Sequence, residues 1–533
     1  MSHRAEFVSV LLAAALVSGS AAAAQEPPTL TLTLQDALAL AAKNSFDVQV
    51  EKLVFDQAEW RLKAAEGAYD LNLSANWGAS VSRTPTTSVL QAGGGRSLYL
   101  QRQDTYGLGL EQYTPWGQDF TLSWNNTRTR TNSAYSLFNP SYGSTLQLGT
   151  TLPLLRGLGK VADLSRRKAR LDREAAGFQY AQSLRDTLLQ VEQSYWDLVY
   201  ALRSLEVSRS GLQLAKEFQT ETAARIRAGV LAPIEQVTAD AQVAQREQDI
   251  VVAESQARNT EDVLKLALGY AQEGAGWNQH VVPSEEPSRN PGAYDESSLL
   301  QKAEALRPEI RVLQRTLDKN RLDTAWAKNQ ILPSLTLSGS LTYAGTAGDY
   351  YNSFTGAFVN SGFSDAWNQV TGRDYKSWAL GLALRYPLQN RGARYTFQTY
   401  RLAQSATEIQ LEKTRQIVAN DVRLSLRNLQ TTEKRIAAAD LNVRLQQQKL
   451  DAEKKKYENG LSTSFNVLSY QNDLIAAKSA LLKARIDNQL AQASLDRAVG
   501  TYLEGKGLRV AETAAAAAGQ PSADDSRLPA AGK

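Results

Sequence analysis

The chain has 533 residues, with 59 Lys+Arg against 55 Asp+Glu, no cysteine, one Met and two His, for a formal net charge of +4. The missing cysteines exclude disulfides, Cys-ligated zinc, iron–sulfur clusters and a thiolate nucleophile, and His3 and His280 cannot make a multi-histidine metal site. So weak a net charge over this length also argues against nucleic-acid binding through a dense basic surface.

The first element is a targeting segment. Met1 to Arg4 is short and basic, Phe7 to Val17 is apolar, and Ala22-Ala23-Ala24 precedes Gln25. That is the pattern of a cleavable secretory signal over residues 1–24, too short to span a bilayer. No later apolar run reaches the length of a membrane-spanning helix. Export is therefore expected to end in the periplasm or, through strands, in an outer membrane. A lipid anchor on an N-terminal cysteine is not expected.

After a short helix at Ala37 to Asn44, the pattern changes to period two. Leu71, Leu73, Ala75, Trp77 and Ala79 alternate with Asn72, Ser74, Asn76 and Gly78, and Leu146, Leu148, Thr150 and Leu152 form one face of a later segment. Between them, Tyr106 to Tyr113 and Phe120 to Trp124 read as two extra strands around a Pro115-Trp116-Gly117 turn. From Val161 to Arg227 the period changes again. Leu184, Leu188, Val191, Tyr195, Leu198, Leu202 and Leu205 alternate by four and three, which is a heptad seam. Gly229 supplies a chain reversal and Pro233 suits the start of a returning helix.

The same order then recurs. Leu299 to Pro308 echoes the first short helix. Leu335, Leu337, Gly339, Leu341 and Tyr343 make one strand face, and Trp378, Leu380, Leu382, Leu384 and Tyr386 another. The intervening Ala344 to Lys376 reads as a long loop rich in aromatic residues, from Tyr350 to Tyr375. Val422, Leu429, Ile436, Val443, Leu450 and Tyr457 recur every seven, and Leu461, Phe465, Leu468, Ile475, Leu482 and Ile486 continue after Gly460. Gly229 and Gly460 stand as far apart as Gly269 and Gly500. One unit is duplicated.

The expected organisation is a signal (1–24), a first repeat (25–272), a linker (273–292), a second repeat (293–504) and a disordered tail (505–533). In the first repeat, strands at about 70–152 precede a long helical hairpin at about 160–270. In the second, strands at about 333–387 precede a hairpin at about 392–503. Period-two segments with aromatic ends match barrel strands, and half-buried soluble strands share the pattern. In lipid, four strands per chain would leave open edges, so other subunits must complete the barrel; three chains of four would give twelve strands. If the extra pair also crossed the membrane the trimer would have eighteen. The expectation is instead a hairpin outside the barrel.

The duplicated unit, the Pro-Leu after a strand (Pro153-Leu154, Pro387-Leu388) and the hairpin glycines are accompanied by the stretch Tyr457-Glu-Asn-Gly460-Leu-Ser-Thr-Ser-Phe-Asn-Val-Leu-Ser469. On these residues the chain resembles the TolC-like outer-membrane efflux family over roughly Leu30 to Tyr502. The resemblance implies a mixed α/β membrane protein that forms, as a homotrimer, an outer-membrane β-barrel continued by a periplasmic α-helical barrel. It implies a non-enzymatic exit duct without cofactor, for a tripartite efflux pump or type I secretion. The implied partners are outer-membrane lipid, a periplasmic adaptor and an inner-membrane pump.

The family's working residues transfer one at a time. Adaptor-docking tips fall on Ala228, Gly229, Val230 and Leu231, and on Asn459, Gly460, Leu461 and Ser462. The periplasmic gate's tyrosine falls on Tyr457 and its carboxylate partner on Glu235, so a Tyr457–Glu235 hydrogen bond is expected. The gate arginine falls on Ser462 and the two ring aspartates on Asn466 and Ser469, which departs from the family and removes the charge from the ring. A hydrolase would need two placed carboxylates, yet most acidic residues here lie on heptad helices beside Lys and Arg. A periplasmic coiled-coil adaptor would explain the hairpins but not the aromatic-ended strands.

Overall fold

The computed structural model of the chain describes residues 29–86, 98–270, 277–287, 292, 294–352 and 354–508. The expected signal segment, and the tail beyond Leu508, lie outside these residues. The described residues fall into two compact units: one within residues 45–189, 289–438 and 487–533, the other within 1–44, 190–288 and 439–486.

The first unit is built on one antiparallel sheet. Its strands are β2 (Asn72–Pro85), β3 (Leu98–Tyr113), β4 (Asp119–Thr131), β5 (Ser141–Pro153), β7 (Ser334–Gly348) and β10 (Tyr375–Arg385), in the spatial order β10-β7-β5-β4-β3-β2. The expectation of a separate hairpin is thereby corrected. β3 and β4 are interior strands, laddered to β2 from Asn72↔Glu111 to Pro85↔Leu98 and to β5 from Asp119↔Thr151 to Thr129↔Ser141. Isolated two-stranded hairpins are marginal, and these two segments had ready partners on both sides. The turn between them is closed by Thr114, whose Oγ1 donates to the Gln118 carbonyl at 2.8 Å, and by Gly117 at φ 97°.

A second correction concerns Ala344 to Lys376, expected as loop. β7 continues to Gly348, a small hairpin pairs β8 (Tyr350–Asn352) with β9 (Ala357–Val359), and a helix, α7, occupies Phe363–Gly372. Its start is fixed by Asp365, whose carboxylate accepts from the Gly362 N–H at 3.0 Å and the Ser361 hydroxyl at 2.7 Å.

The ladder ends lead into helices. In chain order these are α1 (Leu34–Asn44), α2 (Phe46–Glu66), α3 (Leu164–Arg227), α4 (Ile234–Ala267), α5 (Glu296–Leu306), α6 (Pro308–Asn329), α8 (Arg391–Glu458), α9 (Ser464–Val499) and the single turn α10 (Tyr502–Gly505). α3 has 64 residues and α8 has 68, or about 100 Å each at ~1.5 Å per residue. The heptad positions are the buried ones: Leu188, Val191, Tyr195 and Leu198 on α3, and Val422, Leu429 and Leu450 on α8. Leading into α9 the seam holds only in part. Leu461 and Phe465 are exposed; Leu468 and Ile486 are buried as expected, and Val467, Leu474 and Ala484 are buried beside them.

In the sheet unit the helical core gathers Ile310 and Leu317, Val418 to Leu429, and Leu495 to Val499. Arg307 is buried there, bonded to Glu309 at 3.0 Å and to the Ala498 carbonyl at 3.2 Å, and Glu309 also receives Arg185 at 3.1 Å. At the sheet's helical end, the Tyr69 hydroxyl donates to Asp163 at 2.6 Å and the Gly157 N–H to Asn329 at 2.8 Å.

In the second unit, part of the expected linker is ordered. His280–Pro283 forms β6, parallel to β1 (Thr29–Leu32). Glu261 organises it, accepting from Lys265 at 2.8 Å and from the Val281 N–H at 3.0 Å, while the buried Tyr195 hydroxyl donates to the Leu32 carbonyl at 3.1 Å.

Candidate channel wall and docking tips

Alternation along six laddered strands gives the sheet two different faces. The register puts Leu73, Leu110, Leu122, Leu148, Leu341 and Trp378 in one row. Trp77, Tyr106, Trp124, Leu146, Leu337, Leu380, Leu382 and Leu384 lie on the same face. These side chains are largely open in the single chain, with Leu73 72%, Trp77 77% and Trp378 74% exposed. An apolar expanse of this extent on one face marks a surface made for another medium.

The opposite face carries Asn72, Ser74 and Asn76, Thr105 and Gly107, Thr121 and Ser123, Gln147 and Gly149, and Ser338, Ser340 and Thr342. Its charged residues among the described positions, Glu111, Asp119 and Arg385, all stand at the helical end. Apolar outside and small polar inside is the signature of a membrane barrel wall. Among the described residues, both edge strands, β2 and β10, lack a partner on their outer side. Among the described residues, no helix is long and apolar enough to cross a membrane.

The helix α7 lies on the apolar face at the end away from the long helices. Ala366 and Val370 are buried against the sheet, and Gly345 leaves room for the Ala366 carbonyl where a Cβ would collide. Trp367 meets Trp124 with the rings tilted by 57° and 5.0 Å between centroids, and Phe363 reaches Trp124 and Tyr106 at 6.1 and 5.8 Å. Trp124 donates to Ser144 at 3.1 Å. The result is an aromatic rim with a polar outer surface (Ser364, Asp365, Asn368). The spacing Gly362-x-x-Asp365 followed by Ala366 and Val370 was a legible helix start, masked by the surrounding aromatic residues.

Both hairpin tips, in the second unit, end their long helix by the same motif. Gly229 has φ 73°, with Val230 N–H on the Arg225 carbonyl at 3.0 Å and Gly229 N–H on that of Ile226 at 2.9 Å; Gly460 has φ 74°, with Leu461 N–H on Lys456 at 2.8 Å. This left-handed glycine closure satisfies carbonyls that the helix end would otherwise leave bare. Around it stand exposed apolar side chains: Val230, Ile234, Val237, Leu461 and Phe465, from 62% to 79% exposed. Ala228 and Asn459 are exposed beside them, while Leu231 packs onto the core around Tyr457.

The gate residues are arranged otherwise than expected. The Tyr457 hydroxyl is hydrogen-bonded to Ser464 at 3.1 Å, not to Glu235. Its ring is buried against Phe218 (5.8 Å), with the Arg225 guanidinium 4.6 Å above it and Arg225 donating to the Tyr457 carbonyl at 3.0 Å. Heptad packing holds the ring in the seam and turns the hydroxyl towards the start of α9. Glu235 is half-buried, its N–H spent on the Ala232 carbonyl at 3.1 Å.

Ser462 donates to Glu453 at 2.6 Å, and Asn466 donates to Ser462 at 3.4 Å. The Ser462 hydroxyl, and then Lys456, hold the Glu453 carboxyl below the usual carboxylate range. Ser469 lies half-buried on α9. The family resemblance pointed to Tyr457 but not to Arg225 or Glu453, whose parts depend on which helix faces them.

Comparison with known proteins agrees with this architecture. The family model for outer membrane efflux proteins matches residues 115–270 and 299–501. Outer membrane protein TolC of Escherichia coli (strain K12) is 25% identical over 362 residues, which is 64% of this chain and 68% of that protein. Among solved structures, the Campylobacter jejuni CmeC outer membrane channel superposes with a TM-score of 0.61 at 16% identity, covering 90% of each chain. The open state of the Neisseria gonorrhoeae MtrE outer membrane channel gives 0.59 at 17%, covering 88% of this chain and 89% of that one.

Proposed function

The chain belongs to the outer membrane efflux protein family, and on that premise we propose that it is the outer-membrane exit duct of a tripartite efflux pump or type I secretion system. It receives cargo from an inner-membrane pump through a periplasmic adaptor and conducts it passively. The observation that carries this reading is the six-stranded sheet, apolar on one face and polar on the other, with two edges unpaired among the described residues. In lipid such edges must be closed. Three chains close them, β10 of one against β2 of the next, and make eighteen strands. With strands ~4.8 Å apart and tilted by ~40°, an eighteen-stranded barrel is about 36 Å across its backbone, against about 24 Å for twelve.

The exposed apolar tips at Val230, Ile234, Leu461 and Phe465 support an adaptor site there, since helical hairpins associate through such side chains. The lumenal face, uncharged except at its helical end, supports a wall that leaves cargo selection to the pump. The coiled-coil adaptor reading is set aside, because it gives no use to the apolar face of the sheet.

The test is electron microscopy of protein extracted from outer membranes in mild detergent. Threefold particles with a barrel joined to a helical cylinder are expected. Single rods that stay soluble without detergent would overturn the reading.

A further inference from the structure

The charged residues of the sheet's apolar face are confined to one end. At the loop end, away from the long helices, stand Arg83, Arg102, Asp104, Arg128 and Arg130 on β2, β3 and β4, and Lys376 on β10. The opposite face at the same level carries Ser82, Gln101, Gln103, Thr127 and Thr129, all uncharged. A solvated strand end would place charge on both faces alike. Here four guanidinium groups and one carboxylate lie only on the face that continues, along β2, into the exposed Val81 and Trp77.

Two details show a site short of an anion. Arg102 and Arg130 are directly opposite across the β3–β4 ladder; side chains so placed have Cβ atoms about 5 Å apart, and like charges there are destabilising. Asp104, 4.0 Å from Arg102 and directly opposite Arg128 in the same ladder, is a single carboxylate against the three. Arg128, with its guanidinium 5.8 Å from the Tyr142 ring, keeps Nε buried without a hydrogen-bond partner. Arginine forks match phosphate oxygens two at a time, and basic groups just beyond an apolar band meet the headgroup layer of the leaflet around it.

We propose that Arg83, Arg102, Arg128 and Arg130 bind the phosphate groups of a membrane lipid in the leaflet around the loop end of the barrel, with the acyl chains lying on the apolar band below. This rests on the barrel reading given above. The occupant is a lipid and not a free ion, because the cluster is continuous with the apolar surface.

The test is native mass spectrometry of the detergent-solubilised trimer, titrated in parallel with diphosphorylated lipid A, its dephosphorylated counterpart with the same acyl chains, and inorganic phosphate. At least tenfold tighter retention of the phosphorylated lipid is expected, with inorganic phosphate failing to compete at equal concentration. Arg102→Gln with Arg130→Gln is expected to lower that retention to the dephosphorylated level. Equal retention of the two lipids by the unaltered protein, which requires no variant, would overturn the proposal. So would undiminished retention by a double variant that is still trimeric, or equal binding of inorganic phosphate. A protein that gives no trimer in detergent would remove the barrel reading itself, and this inference with it.

Discussion

Tyr457 and Glu261 are held by short local networks, and each makes a sharp expectation. The Tyr457 ring sits in the helical seam while its hydroxyl spends itself on Ser464. Tyr457→Phe is therefore expected to cost about 1 kcal/mol, the worth of one hydrogen bond, and Glu235→Ala to leave the thermal midpoint unchanged. A double-mutant cycle read by thermal melting checks this: coupling between the two positions above ~0.5 kcal/mol would restore the direct Tyr457–Glu235 link.

Burial pushes the Glu261 carboxyl up, but hydrogen bonds from Lys265, the Val281 N–H and His280 outweigh it and hold the group below its ordinary value of 4.5. A depressed carboxyl contributes stability above the unfolded-state value and loses it as pH falls through the folded one. Melting of the unaltered protein should thus fall more steeply below pH 4.5 than that of Glu261→Gln. Parallel acid profiles would show that Glu261 does not fasten the β1–β6 pair.

At the scale of elements, the two helix-ending glycines have no atom within 4 Å of where a Cβ would stand. Gly229→Ala and Gly460→Ala should then cost only the left-handed strain of an L-residue, about 1–2 kcal/mol each. Adaptor binding, measured by crosslinking from neighbouring positions, should survive both. Substituting the exposed Leu461 or Phe465 by Ser should weaken it. The sheet allows a paired test. Leu382→Arg, on the apolar face, is expected to cost about 2–4 kcal/mol in a bilayer and to reduce the yield of trimer. Ser340→Arg, on the polar face, should leave the yield intact.

These contrasts follow from alternation, which sequence displays openly in Leu335 to Tyr343 and Leu71 to Ala79. Heptads were equally plain, because a seam buries every a and d position over many turns. What stayed hidden needed a neighbour. β3 and β4 could be recognised as strands, but not as interior ones, since register belongs to the ladder and not to the segment. α7 was obscured because its aromatic residues serve the sheet it covers. The seam leading into α9 departs at Leu461 and Phe465 because both lie at the exposed tip, while Leu468 and Ile486 keep it further on.

For the whole molecule, the six strands set the scale. Closing three copies should give a barrel about 36 Å across, and a cryo-electron density map with twelve strands and about 24 Å would show that β3 and β4 leave the sheet on assembly. The duplication was legible from matched glycines and matched periods. The need for further subunits was legible from the open strand edges and the trimer only through the family resemblance, because the proposed pairing of β2 with a second copy's β10 lies outside any one chain.

The inner face of serine, threonine, asparagine and glycine has a further consequence for the cell that carries this protein. A broad bore lined by short neutral side chains admits whatever fits, in either direction, so it cannot also be the seal against noxious solutes outside. On the proposed duct reading the seal belongs instead to the hairpin tips, where Arg225 and Ser464 hold Tyr457 and Ser462 holds Glu453. Loosening those contacts should sensitise the bacterium to large antibiotics even where transport itself continues.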